Sequence, residues 1–338
     1  MKKAYLISEF SEMGLECSYE AALREEGIEV RSFSYPPALA QHIRFGKLGR
    51  IFHRFVSVDQ WIQKLNKQIA VDIKRFEPDI VFVFTNAPVQ PGCIGFVKSL
   101  LPVKFVLVWP DTLLNMGSWP LQCSSMYDAV VSHGKQILPV LQQMGFKNPF
   151  WSPFAADKQL HYFDKPATNY DYDISFVGSW NGEREEVMAA ICKNMPQYRI
   201  AIYGPGWNRA KNANVVKKAI NKPLRGNEYA KLFNRTFINI NVIGEIAYPS
   251  VNMRFFEIPV ANGLQLVNYS PEQAGIFLDK KHLLYFDSTT ELLDKIIYYI
   301  SHPDEAMQIR KAGHEMVCAE HTYQHRISKL LQQLQTLE

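Results

Sequence analysis

The stretch NMRFFEIPVANG, residues 252–263, sets Asn252, Arg254 and Glu257 into a run of Phe255, Phe256, Ile258 and Val260 and stops at Gly263. On a helix, residues three apart share a face, so Arg254 and Glu257 sit side by side with Glu257 one turn further along. A guanidinium offers a planar fork of donors that suits a diphosphate, and a carboxylate accepts from two vicinal hydroxyls such as those of a ribose. One ligand could be held at both ends, its charge neutralised at one and its hydroxyls read at the other. The alternative is a solvated ion pair on a helix surface.

Other turns bear on the same question. GSWNGERE, residues 178–185, follows the apolar run YDISFV and frees backbone N–H groups of Gly178 and Ser179 at a helix start, a place that favours phosphate or serves as an ordinary tight turn. GPGW, residues 204–207, follows YRIAIY in the same way. Neither is a GxGxxG, nor is the early turn SEFSEMG, which disfavours a nicotinamide-binding domain; no Walker A lysine exists either. DYD at 171–173 has the form of a metal-binding DxD, but it stands at the entrance of a strand, where charged residues keep a sheet edge soluble, so no metal is expected. His321, Tyr323 and His325 lack a further ligand and read as helix surface or a domain contact.

The elements that must position these residues alternate. KKAYLIS, SYEAALREEG and IEVRSFSY form a βαβ unit, and DIVFVF, KFVLVW and DAVVSH follow with helical stretches between them. After 152–171, which has no period, the pattern restarts with YDISFVG, REEVMAAICKN, YRIAIYG, NEYAKLFNRT, FININVI, MRFFEIPVANG, LQLVNY and HLLYFDS, and three helical segments close the chain. Alternation of this kind predicts mostly parallel sheets covered on both faces, in two Rossmann-like α/β domains that face across a cleft. The expected division is 1–155, 156–320, and a last helix 321–338 crossing back to the first domain. A length of 338 residues suits two domains better than one.

Composition narrows the function class. Apolar residues are 47% and charged residues 21%, an ordinary globular balance. The start MKKAYLISEF has too short an apolar run for a secretory signal, no stretch reaches about 18 apolar residues, and five scattered cysteines form no CxxC, so a soluble cytoplasmic protein is expected. A net charge of +4 without a nucleic-acid fingerprint gives no reason to expect that partner. Between 41 and 75, however, eight basic residues face two acidic ones. Within it HIRFGKLGRIFHRF interleaves Arg44, Lys47 and Arg50 with apolar residues, which fits either peripheral contact of 41–55 with an anionic membrane face or a solvated helix with its apolar side in the core.

YDISFVGSWNGERE, IAIYGPGW, LFNRTFININ, VNMRFFEIPVANG and IRKAGHEMVCAEHTYQHR together resemble the C-terminal domain of CgeB-like, spore-maturation type glycosyltransferases, relatives of the group 1 transferases with the GT-B fold. The resemblance spans about 150–330; in the first half it rests on layout, WPD at 109–111 and FWSPFAAD. It implies transfer of a sugar from a nucleotide-diphosphate sugar to an acceptor hydroxyl of a glycan, a lipid-linked molecule or a protein, by a retaining enzyme that needs neither cofactor nor metal. It maps the family's N-x-R-x-x-E onto Asn252, Arg254 and Glu257, the phosphate-side turn onto Gly178 and Ser179, and the nucleoside-side turn onto Tyr203, Gly204 and Gly206. Arg254 is then the expected catalytic cation, with Arg184 as helper. The acceptor should meet the first domain at Glu12, Asp111 and the turn TNAPVQ; Asp111 is a base, an acceptor hydrogen-bond partner or simply a helix N-cap. This chain departs from the pattern in placing Gly263 six residues after Glu257, and Pro259 inside the helix, where a kink is expected. Sugar-nucleotide epimerisation in the same fold, or a sugar-binding protein without catalysis, are the competing readings.

Overall fold

The structure, a computed structural model, describes residues 1–338 apart from 12, 44, 45, 47, 50, 52–58, 225, 226, 246, 247 and 338. Glu12 and, from the basic segment, Arg44, Lys47 and Arg50 therefore lie outside the described residues. The chain divides into two compact units, Met1–Pro153 with Arg326–Glu338, and Phe154–His325.

In unit 1 the apolar runs become β1 (Lys3–Ser8), β2 (Glu29–Ser34), β3 (Ile80–Phe84), β4 (Lys104–Trp109), β5 (Ala129–Ser132) and β6 (Pro149–Trp151). All pairings are parallel, in the order β2-β1-β3-β4-β5-β6. The sequence IVFVF of β3 is buried at every position, as a strand covered on both faces must be, and so shows no alternation. The helix Tyr323–Gln335 buries Ile327, Leu330, Leu331 and Leu334, one apolar stripe of a 3.6-residue period. From Arg326 onward it belongs to unit 1: Arg326 Nε donates to Pro153 O at 3.1 Å, and Lys104 Nζ donates to Leu334 O and Leu337 O.

Unit 2 repeats the plan with β7 (Tyr172–Val177), β8 (Ile200–Tyr203), β9 (Ala219–Ile220), β10 (Thr236–Asn241), β11 (Gln265–Asn268) and β12 (Leu284–Phe286), again all parallel, in the order β12-β11-β10-β7-β8-β9. The direction of winding reverses between β7 and β10. Open sheets of this kind bind ligands beyond the C-terminal ends of the two strands at such a reversal. β10, TFININ, buries Asn239 and Asn241 in its interior, where an amide is tolerated only when its hydrogen bonds are met. Asn239 accepts from Ser175 Oγ at 2.8 Å and donates to Phe233 O and Leu264 O. Asn241 turns toward the site described next.

Candidate functional site

Past the ends of β7 and β10 a cavity of about 290 Å³ opens within unit 2. It is lined by Val177, Gly178 and Ser179 where β7 ends, by Asn241 and Val242 at the end of β10, and by Gly204 and Pro205 after β8. The two turns touch: Gly178 N–H donates to Tyr203 O at 2.9 Å, and a Cβ on Gly204, whose φ is +141°, would stand 2.1 Å from Gly178 O. Only glycine allows that approach. Trp207 Nε1 donates to the same Gly178 carbonyl at 2.8 Å.

Two guanidinium groups line this cavity, Arg184 and Arg254. Arg184 comes from the first turn of the helix Gly182–Asn194, whose start is capped by Asn181 Oδ1 accepting from Arg184 N–H at 2.9 Å. Its Nη1 donates to Ser179 O (2.8 Å) and Ser179 Oγ (3.1 Å), and its guanidinium lies 5.9 Å from the centre of the Phe176 ring. Arg254 opens the helix Arg254–Val260 and lies 5.6 Å from the centre of the Tyr229 ring. Aromatic faces thus hold both cations without neutralising them. Burial, and after it the charge of Arg254, hold the Arg184 guanidinium below its ordinary pKa. The Nε atoms of both arginines are buried and have no hydrogen-bond partner among the described residues. Like charges brought together in a partly dehydrated cavity, with donors to spare, are arranged for an anion carrying more than one charge.

Glu257 is buried, and its Oε2 lies 4.0 Å from Arg254 Nε, also without a hydrogen bond among the described residues. The i,i+3 pair is therefore loose rather than closed, and it sits at the cavity rather than in open solvent. Arg254 lines the cavity, whereas Glu257 is not among the described residues that line it.

The helix that carries them is fixed at both ends. At its start Asn252 Oδ1 accepts from Phe255 N–H (3.1 Å), and the amides of Asn252 and Asn241 exchange two hydrogen bonds, 2.7 and 3.0 Å long. Asn241 Nδ2 also donates to Gln265 Oε1 at 2.9 Å. Pro259 does not end the helix, which runs on to Val260. The carbonyl that a normal residue 259 would have bonded, Phe255 O, accepts instead from Gln265 Nε2 at 3.3 Å. At the far end the carbonyls of Pro259, Ala261 and Asn262 accept from His314 Nδ1 (3.0 Å), Asn234 Nδ2 (2.9 Å) and Arg310 Nε. Arg310 is buried and also donates to Asn234 O at 2.5 Å and Tyr170 Oη at 2.8 Å; a cation there suits the negative end of a helix. The extra residue before Gly263 is taken up by Asn262, whose φ is +55°.

Against this geometry the comparisons with known proteins are direct. Residues 184–332 match the family model described as glycosyl transferase-like. Over 276 residues the chain is 19% identical to the spore protein CgeB of Bacillus subtilis (strain 168), covering 76% of this chain and 83% of that one. The fold is similar to that of sucrose-phosphate synthase from Thermosynechococcus elongatus (TM-score 0.68, 11% identity, 100% of this chain and 99% of that one). It is equally similar to Anabaena HepE, solved in complex with UDP and glucose (TM-score 0.66, 11% identity, 100% of both chains). The fold is therefore GT-B, and residues 184–332 are similar to glycosyl transferase-like proteins.

Of the donor residues expected from this family, the structure gathers Gly178, Ser179, Arg184, Gly204, Asn252 and Arg254 around one cavity. Tyr203 and Gly206 lie beside it: Tyr203 Oη is 3.4 Å from Tyr172 Oη, and Gly206, with φ +85°, packs on Trp180. Sequence reasoning missed Asn241 and Tyr229. The alternation in FININ could have pointed to Asn241, because it puts a polar residue on an inward position; nothing local marks Tyr229 as the partner of an arginine 25 positions away. Asp171 and Asp173 stand at the opposite end of β7 from Gly178 and are engaged by Arg235 (2.6 Å) and Arg199 (2.7 Å). His321 packs on Phe256 and Phe277, and His325 Nδ1 lies 2.7 Å from Thr322 Oγ1.

In unit 1, Asp111 is exposed and spent locally, accepting from Thr112 N–H at 2.7 Å and Asn115 Nδ2 at 2.8 Å. Close to it, His133 follows the end of β5 and bonds to the backbone of Trp109. Burial pushes this imidazole down to about 4, against the opposing pull of Asp111, so it is neutral near pH 7.

Proposed function

We propose that this protein transfers a sugar from a nucleotide-diphosphate sugar to an acceptor hydroxyl in glycan or glycoconjugate synthesis, with the donor held in the unit 2 cavity. The observation that carries this reading is the pair of guanidinium groups of Arg184 and Arg254 lining one cavity at the reversal of the sheet, each with an Nε lacking a hydrogen-bond partner among the described residues. Breaking a sugar–phosphate bond builds positive charge on the sugar and negative charge on the departing diphosphate. Donors already aimed at that diphosphate stabilise the transition state without reorganising. Arg254 is the principal group, Arg184 and the N–H groups of the 178–179 turn assist, and Glu257 reads the ribose hydroxyls.

The same reading makes transfer metal-independent, because the two arginines supply the charge that a divalent ion would otherwise bring and the aspartates of DYD are bound to arginines elsewhere. Retention of the anomeric configuration is carried over from the resemblance to group 1 transferases. The acceptor, a glycan, lipid-linked molecule or protein, meets unit 1 near Asp111; Glu12, the other acceptor-side candidate, lies outside the described residues. The protein works in the cytoplasm, with the basic segment 41–55 resting on the inner membrane face; among the described residues no helix is long and apolar enough to cross it.

Calorimetric titration of UDP, GDP and dTDP tests the donor site. One of them should bind the native chain, and Arg254→Ala should weaken it by roughly 1.5–3 kcal/mol, the contribution of hydrogen bonds to a charged group. Equal affinity in the variant would remove the assignment. A panel of nucleotide sugars assayed with EDTA, and the anomeric configuration of the product by NMR, test the metal and stereochemical parts.

A further inference from the structure

Unit 1 carries a feature that the donor site does not use. The helices Asp59–Phe76 and Pro91–Leu100 pack together and leave a groove of about 530 Å³ between their outer faces. Ala70, Gly92 and Cys93 lie along it, and Val71 and Phe96 flank it at 48% and 53% exposure. On the second helix Gly92, Phe96 and the exposed Leu100 are spaced four apart and share one face. On the first, Lys64, Lys67, Val71, Lys74 and Arg75 fall on one stripe at i, i+3, i+7, i+10 and i+11, all exposed, and Lys67 lines the groove. None of these four cations forms an ion pair among the described residues. The acid of that part of the helix, Asp72, faces elsewhere, accepting from Tyr5 Oη at 2.7 Å and Arg31 Nη1 at 3.0 Å. An apolar line and an uncompensated basic line therefore run side by side.

We infer that this face docks on a bilayer containing anionic phospholipid, with acyl chain in the groove and headgroup phosphates on Lys64, Lys67, Lys74 and Arg75. Charge complementarity selects that occupant. A neutral or basic apolar surface would gain nothing from the basic line, and a free phosphate would gain nothing from Phe96 and Leu100. A phospholipid satisfies both, since its charge and its chain are joined. The inference stands independently of the donor site, and its residues are separate from segment 41–55.

Flotation with vesicles of phosphatidylcholine alone, and of phosphatidylcholine mixed with phosphatidylglycerol, tests it. The native chain should float with the mixed vesicles only. Replacing Lys64, Lys67, Lys74 and Arg75 together by Gln should cut that binding about tenfold or more at physiological salt, consistent with the contribution of each basic residue near an anionic surface. Phe96→Ser with Leu100→Ser should remove the part of the binding that survives high salt. Equal binding to both vesicles, or unchanged binding in the Gln variant, overturns the proposal. So does a concentration-dependent dimer that the Phe96→Ser, Leu100→Ser variant dissolves, which would give the groove to a second copy of the chain. A cooperative thermal melt of each variant, compared with that of the native chain, checks that it is folded. Loss of UDP binding in the native chain would count against the donor site and leave this surface untouched.

Discussion

Each unit reverses its winding once, between β7 and β10 in unit 2 and between β1 and β3 in unit 1, and the two reversals are furnished differently. In unit 2 the strand ends lead to Arg184 and Arg254 over a shared cavity. In unit 1 the turns that follow, SEFSEMG and TNAPVQ, contain no lysine or arginine. There the Glu9 carboxylate accepts from Tyr35 Oη at 2.5 Å, and Asn86 is spent on Gly117 N–H and Asn115 O. The same kind of reversal in two parallel sheets thus yields an anion cradle in one place and a neutral-to-acidic surface in the other. The fold fixes where a ligand lies; the side chains at the strand ends decide which one.

That contrast can be broken most sharply at the arginines. Removing Arg184 and Arg254 together should cost roughly 4 kcal/mol of nucleotide affinity, about a thousandfold by titration calorimetry. If the double variant still binds UDP, GDP or dTDP as the native chain does, unit 2 is no more an anion site than unit 1. Next in size is Arg310→Met, which strands the Asn262 and Asn234 carbonyls in the interior and should lower stability by about 3 kcal/mol in urea unfolding. Arg310→Lys should recover part of the stability but leave nucleotide affinity reduced, because a single ammonium does not span the same acceptors.

Acid should distinguish the units too. His133 has a folded pKa of about 4, below the ordinary value near 6.5, so the unfolded chain binds the extra proton in that window. Its contribution is complete above pH 6.5 and is lost as pH falls toward 4, roughly 2–3 kcal/mol in all. His133→Asn should flatten the melting temperature across that range, with UDP affinity at neutral pH unchanged.

A smaller effect sharpens the role of Glu257. If its carboxylate reads the ribose, Glu257→Ala should lower UDP affinity about tenfold, near 1.4 kcal/mol, and abolish discrimination against 2′-deoxy-UDP. If it only orients Arg254, affinity falls but discrimination stays. Least is expected of Asp111→Asn: stability within about 1 kcal/mol of native and no change in donor affinity, since its bonds are local and lie in unit 1.

Much of this was legible in the residues. Runs such as IVFVF and KFVLVW could only be interior strands, and the order of runs gave a doubly wound architecture twice over. The short edge strands β6 and β9 carried no comparable signal, because two or three residues do not establish a period. The long helix Asp59–Phe76 was hidden within a stretch read mainly for its charge. At the site, Asn252, Arg254 and Glu257 declared themselves by breaking the apolar run. What could not be read is contact at a distance: Tyr229 beneath Arg254, Gln265 behind Phe255, Arg310 beneath Asn262. Local spacing contains none of these, since each joins elements that meet only when the sheet is wound.

The missing amide hydrogen at Pro259 has a consequence for how this sequence can drift. Alanine at 259 would restore a main-chain donor to Phe255 O and leave the Gln265 amide competing for an acceptor it now owns, while loss of Gln265 alone would orphan that oxygen. The two positions should therefore change in concert among relatives, proline travelling with an amide at 265.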